Sequence, residues 1–172
     1  MNAVFYIAAF VAVVATAMVI TRANVVHALL YLIVSLLAVA MIFFVLGAPF
    51  VAALEVIIYA GAIMVLFLFA IMTLNLGREA AVQESQWMRP SAWIGPSLLT
   101  LVLLAELIYV FLSGTALPAS EANAVDPRAL GAALFGPYLL AVELASLLLL
   151  AGMVGAYYLG RRERAEGPGT TM

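Results

Sequence analysis

Five long apolar segments set the strongest limit on what this chain can fold into. They cover about residues 3–20, 25–46, 50–74, 92–112 and 137–159. Each is near the roughly 20 residues that an α-helix needs to cross the hydrocarbon core of a bilayer. Hydrophobic residues make up 67% of the 172-residue chain and charged residues only 9%, unlike the composition of a water-soluble domain. The sequence therefore predicts an all-α integral membrane protein with five transmembrane helices.

The connections between these segments are short. Only TRAN and GAP join the first three spans, so we expect an antiparallel series of helices packed side by side. The longer connections, residues 77–91 and 113–136, are predicted to be loops. We interpret residues 1–160 as one transmembrane domain and residues 161–172 as a short cytoplasmic tail. The first span lacks a preceding positively charged region, so we expect it to be retained and not removed as a signal peptide.

The distribution of arginine predicts the orientation of the chain. With five spans, one side of the membrane holds six arginines and the other side only Arg128. The six are Arg22, Arg78, Arg89, Arg161, Arg162 and Arg164. Positively charged flanks stay in the cytoplasm, so we place the N-terminus outside and the C-terminus inside.

The residue types present exclude several kinds of chemistry. The chain has no cysteine, and His27 is its only histidine, so it cannot supply thiolate ligands, a thiol nucleophile or a cage of imidazoles. A net charge of −2 does not suit a nucleic-acid binder. No phosphate-binding glycine loop, GxSxG or HExxH motif occurs. We therefore do not expect an enzyme that acts alone, and His27 is either an interfacial hydrogen-bonding residue or a proton shuttle.

Three acidic residues fall inside the predicted spans: Glu55, Glu106 and Glu143. A charge near the centre of a bilayer costs roughly 2.5–3.5 kcal/mol on insertion scales, so such residues usually face a bundle interior or a wet cavity. No Lys or Arg lies within any span. Each acid must then either hold a proton or meet a cation on another subunit. Both alternatives indicate that the chain works within an assembly.

The stretch EVIIYAGAIMVLFLF in span three combines an acid with small residues. Glu55 lies about 8 Å from the predicted external end of the helix, and Tyr59 at i+4 can share its face. Gly61 and its neighbouring alanines permit close helix contact and make this the expected place for a kink or a π-bulge. Two interpretations stay open: a packing notch with a protonated Glu55, or a proton relay or switch.

The other two acids are also open to two interpretations. Glu143 lies about six residues into span five, with Ser146 at i+3, and could act in proton transfer or form an interhelical hydrogen bond. Gly136 and Pro137 are predicted to begin that helix. Proline lacks only a backbone N–H, and the N–H groups of the first turn have no partner within a helix. Glu106 lies nearer the external end of span four, with Tyr109 at i+3. It either has a functional role or simply reaches a polar crevice or the interface.

These motifs resemble those of a known family. NVVHALLYLIVSLLA, GAPFVAALEVIIYAGAIMVLFLFAIMTLNLG, WIGPSLL and FGPYLLAVELASLLLLAGMVGAYYLGRRER resemble, in the same order, the J subunits of bacterial respiratory complex I. This complex is the proton-pumping NADH:quinone oxidoreductase, and its J subunits correspond to the mitochondrial chain 6 subunits. The resemblance covers about residues 4–165 and is most specific in span three.

The resemblance implies a fold, partners and a site. Subunits of this family bind no redox centre; FMN, iron–sulfur clusters and quinone belong to partner subunits. The implied neighbours are subunits K, H, A and N in the membrane arm, within a bacterial inner (plasma) membrane. The family carries a π-bulge in span three whose rearrangement opens or closes a water path. Carried onto this sequence, the switch region runs from Tyr59 to Met64, with Gly61 giving the backbone latitude and Glu55 as the nearby acid.

Glu143 falls in the family's AVELAS block, which fits helix packing as well as a proton path. Three functions are thus weighed against one another. The first is a gate that couples quinone reduction to proton pumping, and the second is a passive structural subunit of the same complex. The third is a small subunit of a cation/proton antiporter assembly, which shares this apolar composition with few acids.

Overall fold

The computed structural model describes residues 2–74, 90–113 and 126–160. All regular elements in this part of the chain are helical. They are α1 (Asn2–Thr21), α2 (Val25–Val45), α3 (Pro49–Leu54), a π-helix (Glu55–Ile63, called the π segment below), α4 (Met64–Leu74), α5 (Pro90–Leu112), α6 (Pro127–Leu134) and α7 (Leu139–Gly160). Span three consists of α3, the π segment and α4. Contacts between residues divide the chain into two units, Met1–Val125 and Asp126–Met172.

Five helices in the described ranges are long and apolar enough to cross a membrane. They are Ala3–Thr21, Val25–Val45, Pro49–Ile71, Trp93–Leu112 and Leu139–Gly160. The predicted all-α membrane fold with five spans is therefore confirmed. Of the six arginines that predict the orientation, only Arg22 lies in the described part of the chain; its guanidinium lies 5.4 Å from the centre of the Tyr31 ring. The orientation stays a prediction, and residues 161–172 lie outside the described ranges.

Helix α2 is the centre of the first unit. It packs against α1, α3, the π segment, α4 and α5. Two buried clusters hold α1, α2 and α5 together. One contains Val11, Ala12, Ala15, Val34, Ala38 and Leu103, and the other contains Val4, Ala8, Met41 and Val110. The alanines let the helix backbones approach closely, which is how transmembrane helices gain van der Waals contact when lipid is as apolar as their side chains.

A polar contact joins α1 to α2 within this apolar packing. The Thr16 and Ser35 hydroxyl oxygens lie 2.8 Å apart. The Thr16 hydroxyl also donates to the carbonyl oxygen of Ala12 at 2.8 Å, and the Ser35 hydroxyl lies 3.3 Å from the same oxygen. Each polar atom thus has a partner, as the interior of a helix pair in a membrane requires.

The ends of α2 explain the tight turns that bring the first three spans together. Asn24 caps the start of α2, because its side-chain oxygen accepts from the amides of Val26 and His27 at 2.9 and 3.3 Å. At the other end Gly47 has φ 86°, a left-handed conformation that glycine adopts without strain. The Gly47 amide donates to Phe44 and the Ala48 amide donates to Phe43, the pattern of a Schellman motif. Pro49 then begins α3.

The second unit corrects two predictions. Residues 113–136 are not all loop, because α6 occupies Pro127–Leu134. Asp126 caps α6 by accepting from the Arg128 amide at 3.3 Å, and Pro127 supplies the first helical residue. The last span begins at Leu139 and not at Pro137. Pro137 lies instead in the turn after α6, where the Tyr138 amide donates to the Ala133 carbonyl.

Candidate functional site

The π segment is the most unusual feature of span three. Nine residues, Glu55–Ile63, form a π-helix between the α-helical turns of α3 and α4. The Met64 amide closes the segment by donating to the Tyr59 carbonyl, five residues earlier, as well as to that of Gly61. Helices of this kind are rare, usually last a single turn and frequently mark functional sites. The kink or π-bulge predicted around Gly61 is thus confirmed, and it begins already at Glu55.

Gly61 fits the π-helical geometry because it has no side chain. A Cβ atom built at Gly61 would lie 3.1 Å from the backbone carbonyl oxygen of Val56, which is five residues earlier. That is closer than a carbon and an oxygen normally pack without displacement. A larger residue at this position would push against the Val56 carbonyl of the π-helical turn.

Glu55 and Tyr59 both lie on the π segment, but their side chains do not hydrogen-bond to each other. Glu55 is half-buried, and the Tyr59 side chain is 50% exposed. Their side chains form no hydrogen bond with each other or with any other residue in the described ranges, although the spacing predicts that they share a face. Both polar groups therefore remain available to water or to a partner chain. Met64, at the end of the predicted switch region, is buried instead, with 5% of its surface exposed.

An apolar groove adjoins the start of the π segment. It has a volume of about 370 Å³ and lies between α2, span three and α5. Pro49, Ala52, Ala53 and Val56 form its wall on span three. The lining hydroxyl of Thr100 donates to the carbonyl oxygen of Pro96 at 2.8 Å. The groove therefore offers aliphatic contacts and free space beside Val56, and little that could hold a polar ligand.

Glu106 is the acid that sequence reasoning treated as least informative, yet it is the most deeply buried of the three. Only 7% of its surface is exposed, and neither carboxylate oxygen has a hydrogen-bond partner among the described residues. Leu103 and Val110, three residues before it and four after it, belong to the two clusters that hold α1, α2 and α5 together. Glu106 therefore lies on the face of α5 that packs against α1 and α2.

Glu143 lies in the second unit and is exposed there. The Ser146 hydroxyl donates to the backbone carbonyl of Glu143 at 2.7 Å, not to its side chain. Helix α7 buries no residue within its own unit. Within its own unit the Glu143 carboxylate therefore has no side-chain partner, and both the proton path and the helix contact stay predictions.

Apolar spans, a half-buried acid at the start of a π-helix and an exposed Glu143 in the last span define a class of multi-pass helical membrane protein that works beside partner chains. In the described ranges, no three His, Cys, Asp or Glu residues come together as a metal-binding group. Residues 15–159 match the family of NADH-ubiquinone/plastoquinone oxidoreductase chain 6. The chain belongs to this family and is accordingly a membrane subunit of an NADH-quinone oxidoreductase, as the resemblance of its motifs predicted.

Curated relatives support the same assignment. NADH-quinone oxidoreductase subunit J of Pseudomonas aeruginosa is 58% identical over 166 residues, which cover 96% of this chain and 100% of the relative. Subunit J of Escherichia coli K12 is 53% identical over 165 residues, or 96% of this chain and 89% of the relative. Subunit J of Rhodobacter capsulatus is 38% identical over 170 residues, covering 94% and 82%. The similarity thus extends across nearly the whole length of the chain.

Proposed function

We propose that span three is a conformational gate that couples quinone reduction to proton movement in a proton-pumping NADH-quinone oxidoreductase. The observation that carries the proposal is the π segment with Gly61 packed against the Val56 carbonyl. The chain has no redox centre in this scheme; FMN, iron–sulfur clusters and quinone act in partner subunits. Its neighbours are subunits K, H, A and N in a bacterial inner membrane, with the N-terminus outside.

A regular α-helix is an alternative state of span three that differs from the π-helix in geometry. When the π-helical i→i−5 hydrogen bonds change to α-helical i→i−4 bonds, each turn contains one residue fewer. Because one residue corresponds to about 100° of rotation in an α-helix, the helix that follows rotates by about that angle. Such a rotation would move Met64 away from its buried position and carry other side chains into its place. A gate of this kind requires two populated states whose balance another event can shift.

The surroundings of the π segment suit such a change. The apolar groove beside Val56 provides space into which this side chain can move. The opposite wall consists of α2 and α5, whose packing against α1 does not depend on span three. Span three could therefore change register while the three-helix core stays in place.

Glu55 and Tyr59 would supply the polarity of the water path. Neither group is satisfied within the described ranges, and both are at least partly exposed. A carboxyl and a phenol on the same helical segment can each hydrogen-bond to water, whereas the other side chains of the segment are apolar. Met64 and Gly61 would determine when the path is continuous. Glu143 would act as a further acid on the path or at a helix contact.

The second candidate is a passive structural subunit of the same complex. The observation that favours it is that Glu55, Tyr59 and Glu143 all lack side-chain partners in the described ranges and could each bond to a neighbouring subunit. The family assignment favours either of these two functions over membership in a cation/proton antiporter assembly.

The test uses membrane vesicles that carry Glu55→Gln or Gly61→Val in the complete complex. NADH-driven proton uptake is compared with NADH:quinone reduction, and native gels establish assembly. We expect assembled complexes in which proton uptake falls relative to quinone reduction. The matched control is Gly152→Val in α7, where a Cβ meets nothing within 4 Å in its own unit; it should leave this ratio unchanged. If both span-three variants keep the normal ratio, the structural function is correct and the gate is not.

A further inference from the structure

Glu106 has a different environment from the other two intramembrane acids. Its side chain is enclosed by the first unit's own helices, with both carboxylate oxygens buried and unpartnered among the described residues. Glu55 is only half-buried and Glu143 is exposed, so a cation from a partner chain can reach those two. The same cation could reach Glu106 only if the packing opened.

The helices that pack against α5 bring no cation to Glu106. In the described ranges, the titratable group of α1 is Tyr6, which is exposed, and those of α2 are His27 and Tyr31 at its first turns. The clusters on either side of Glu106 lie at Ala38 and Met41 of α2. Along the axis of α2, His27 is roughly 16 Å from Ala38, since an α-helix rises 1.5 Å per residue. Tyr109, on α5 itself, is exposed.

The position of Glu106 decides its protonation. An ionised carboxylate taken from water into an apolar interior without a partner is far more costly than the neutral acid, so a group in this position binds a proton instead. Neither buried carboxylate oxygen has a hydrogen-bond partner among the described residues that could compensate a charge.

We propose that Glu106 is a proton-binding site of the chain. Its carboxyl keeps a proton while α1, α2 and α5 are packed together, and gives that proton to water when the packing opens, leaving a carboxylate. The site is separate from the π segment and does not rest on the gating function proposed above. Packing of α5 against α1 and α2 is therefore coupled to the binding of one proton by Glu106.

This linkage can be measured directly. A group that is protonated in the folded chain and ionised in the unfolded chain makes folding take up one proton. The unfolded state then binds fewer protons, so stability falls as pH rises. Purified complexes that carry either the wild-type chain or Glu106→Gln are titrated with a denaturing detergent, and release of the chain is measured. The titrations are carried out between about pH 6 and 8, where a glutamate in water is already ionised.

We expect the folded-to-released ratio of the wild type to fall about tenfold per pH unit relative to Glu106→Gln. Glu106→Leu, which also removes the proton, should follow the pH dependence of Glu106→Gln, and it serves as the reference if the glutamine variant does not assemble. A ratio between wild type and both variants that is constant with pH would show that Glu106 releases no proton when the packing opens and would overturn the proposal. A failure of the span-three gate would leave this result unaffected.

Discussion

Gly61 lies directly against the backbone carbonyl of Val56, so that a Cβ atom at Gly61 would stand 3.1 Å from that oxygen. The two residues are five positions apart, which is the spacing of a π-helical hydrogen bond. Gly61 therefore does more than permit close helix packing. It removes a contact that would oppose this particular backbone register.

We predict that Gly61→Ala shifts span three towards a regular α-helix. Alanine favours an α-helix over glycine by roughly 0.5–1 kcal/mol, and the contact with Val56 penalises the π segment further. A combined effect of about 1 kcal/mol changes the ratio of the two states about fivefold. Electron cryomicroscopy of the complete complex should show which carbonyl, Tyr59 or Ala60, accepts from the Met64 amide.

The control for this prediction is Gly152→Ala in α7. It introduces the same methyl group into an apolar helix where a Cβ meets nothing within 4 Å in its own unit. This variant should leave the π segment unchanged. If Gly61→Ala also retains the bond from Met64 to Tyr59 in every particle class, the glycine does not determine the register.

A second close approach joins α2 to α5. A Cβ atom built at Gly95 would overlap the hydroxyl of Tyr31, which is buried. We predict that Gly95→Ala weakens the α2–α5 contact by about 1–3 kcal/mol, the usual cost of overpacking. Thermal release of the chain from the complex measures this loss. Tyr31→Phe removes the overlapping atom, so the double variant should recover part of the lost stability; no recovery would contradict the contact.

The Thr16–Ser35 contact predicts a measurable coupling between α1 and α2. The two hydroxyl oxygens lie 2.8 Å apart, and interhelical hydrogen bonds in membranes contribute about 0.6 kcal/mol on average. Thr16→Val and Ser35→Ala should therefore be non-additive by about this amount in a double-mutant cycle. Detergent-induced unfolding supplies the four stabilities. Thr21→Val is the comparison, because the Thr21 hydroxyl bonds only to carbonyls of its own helix and should show no coupling to Ser35→Ala.

Much of this fold follows from local sequence. Segments of about 20 apolar residues with few charges predict membrane helices. A single segment in lipid can satisfy all its backbone hydrogen bonds only as a helix. The break in span three was also predictable, since Gly61 with alanines on both sides weakens the helix at one place. Its extension back to Glu55 was not, because no glycine or proline lies between Glu55 and Tyr59.

The place of Glu106 could not be predicted for a physical reason. Helix α5 is apolar on all sides, so periodicity does not distinguish the face that packs against α1 and α2 from the face that meets lipid or a partner. The position of α6 was missed for a related reason. A short helix among small and polar residues has the composition of a loop, and its start at Pro127 depends on the cap by Asp126.

The last prediction concerns Glu143, whose carboxylate is exposed on a helix of apolar residues. An ionised group exposed to lipid is costly, by up to roughly 2.5–3.5 kcal/mol at the bilayer centre, so we expect a partner subunit to cover this face and bond to the side chain. Glu143→Gln should assemble, because the amide can still form hydrogen bonds, whereas Glu143→Leu should weaken attachment of the chain by about 1–2 kcal/mol. Native gels after graded detergent treatment measure attachment. Ser146→Ala should behave as wild type, since its hydroxyl bonds to the backbone of its own helix; equal attachment of the leucine variant and wild type would place Glu143 outside any subunit contact.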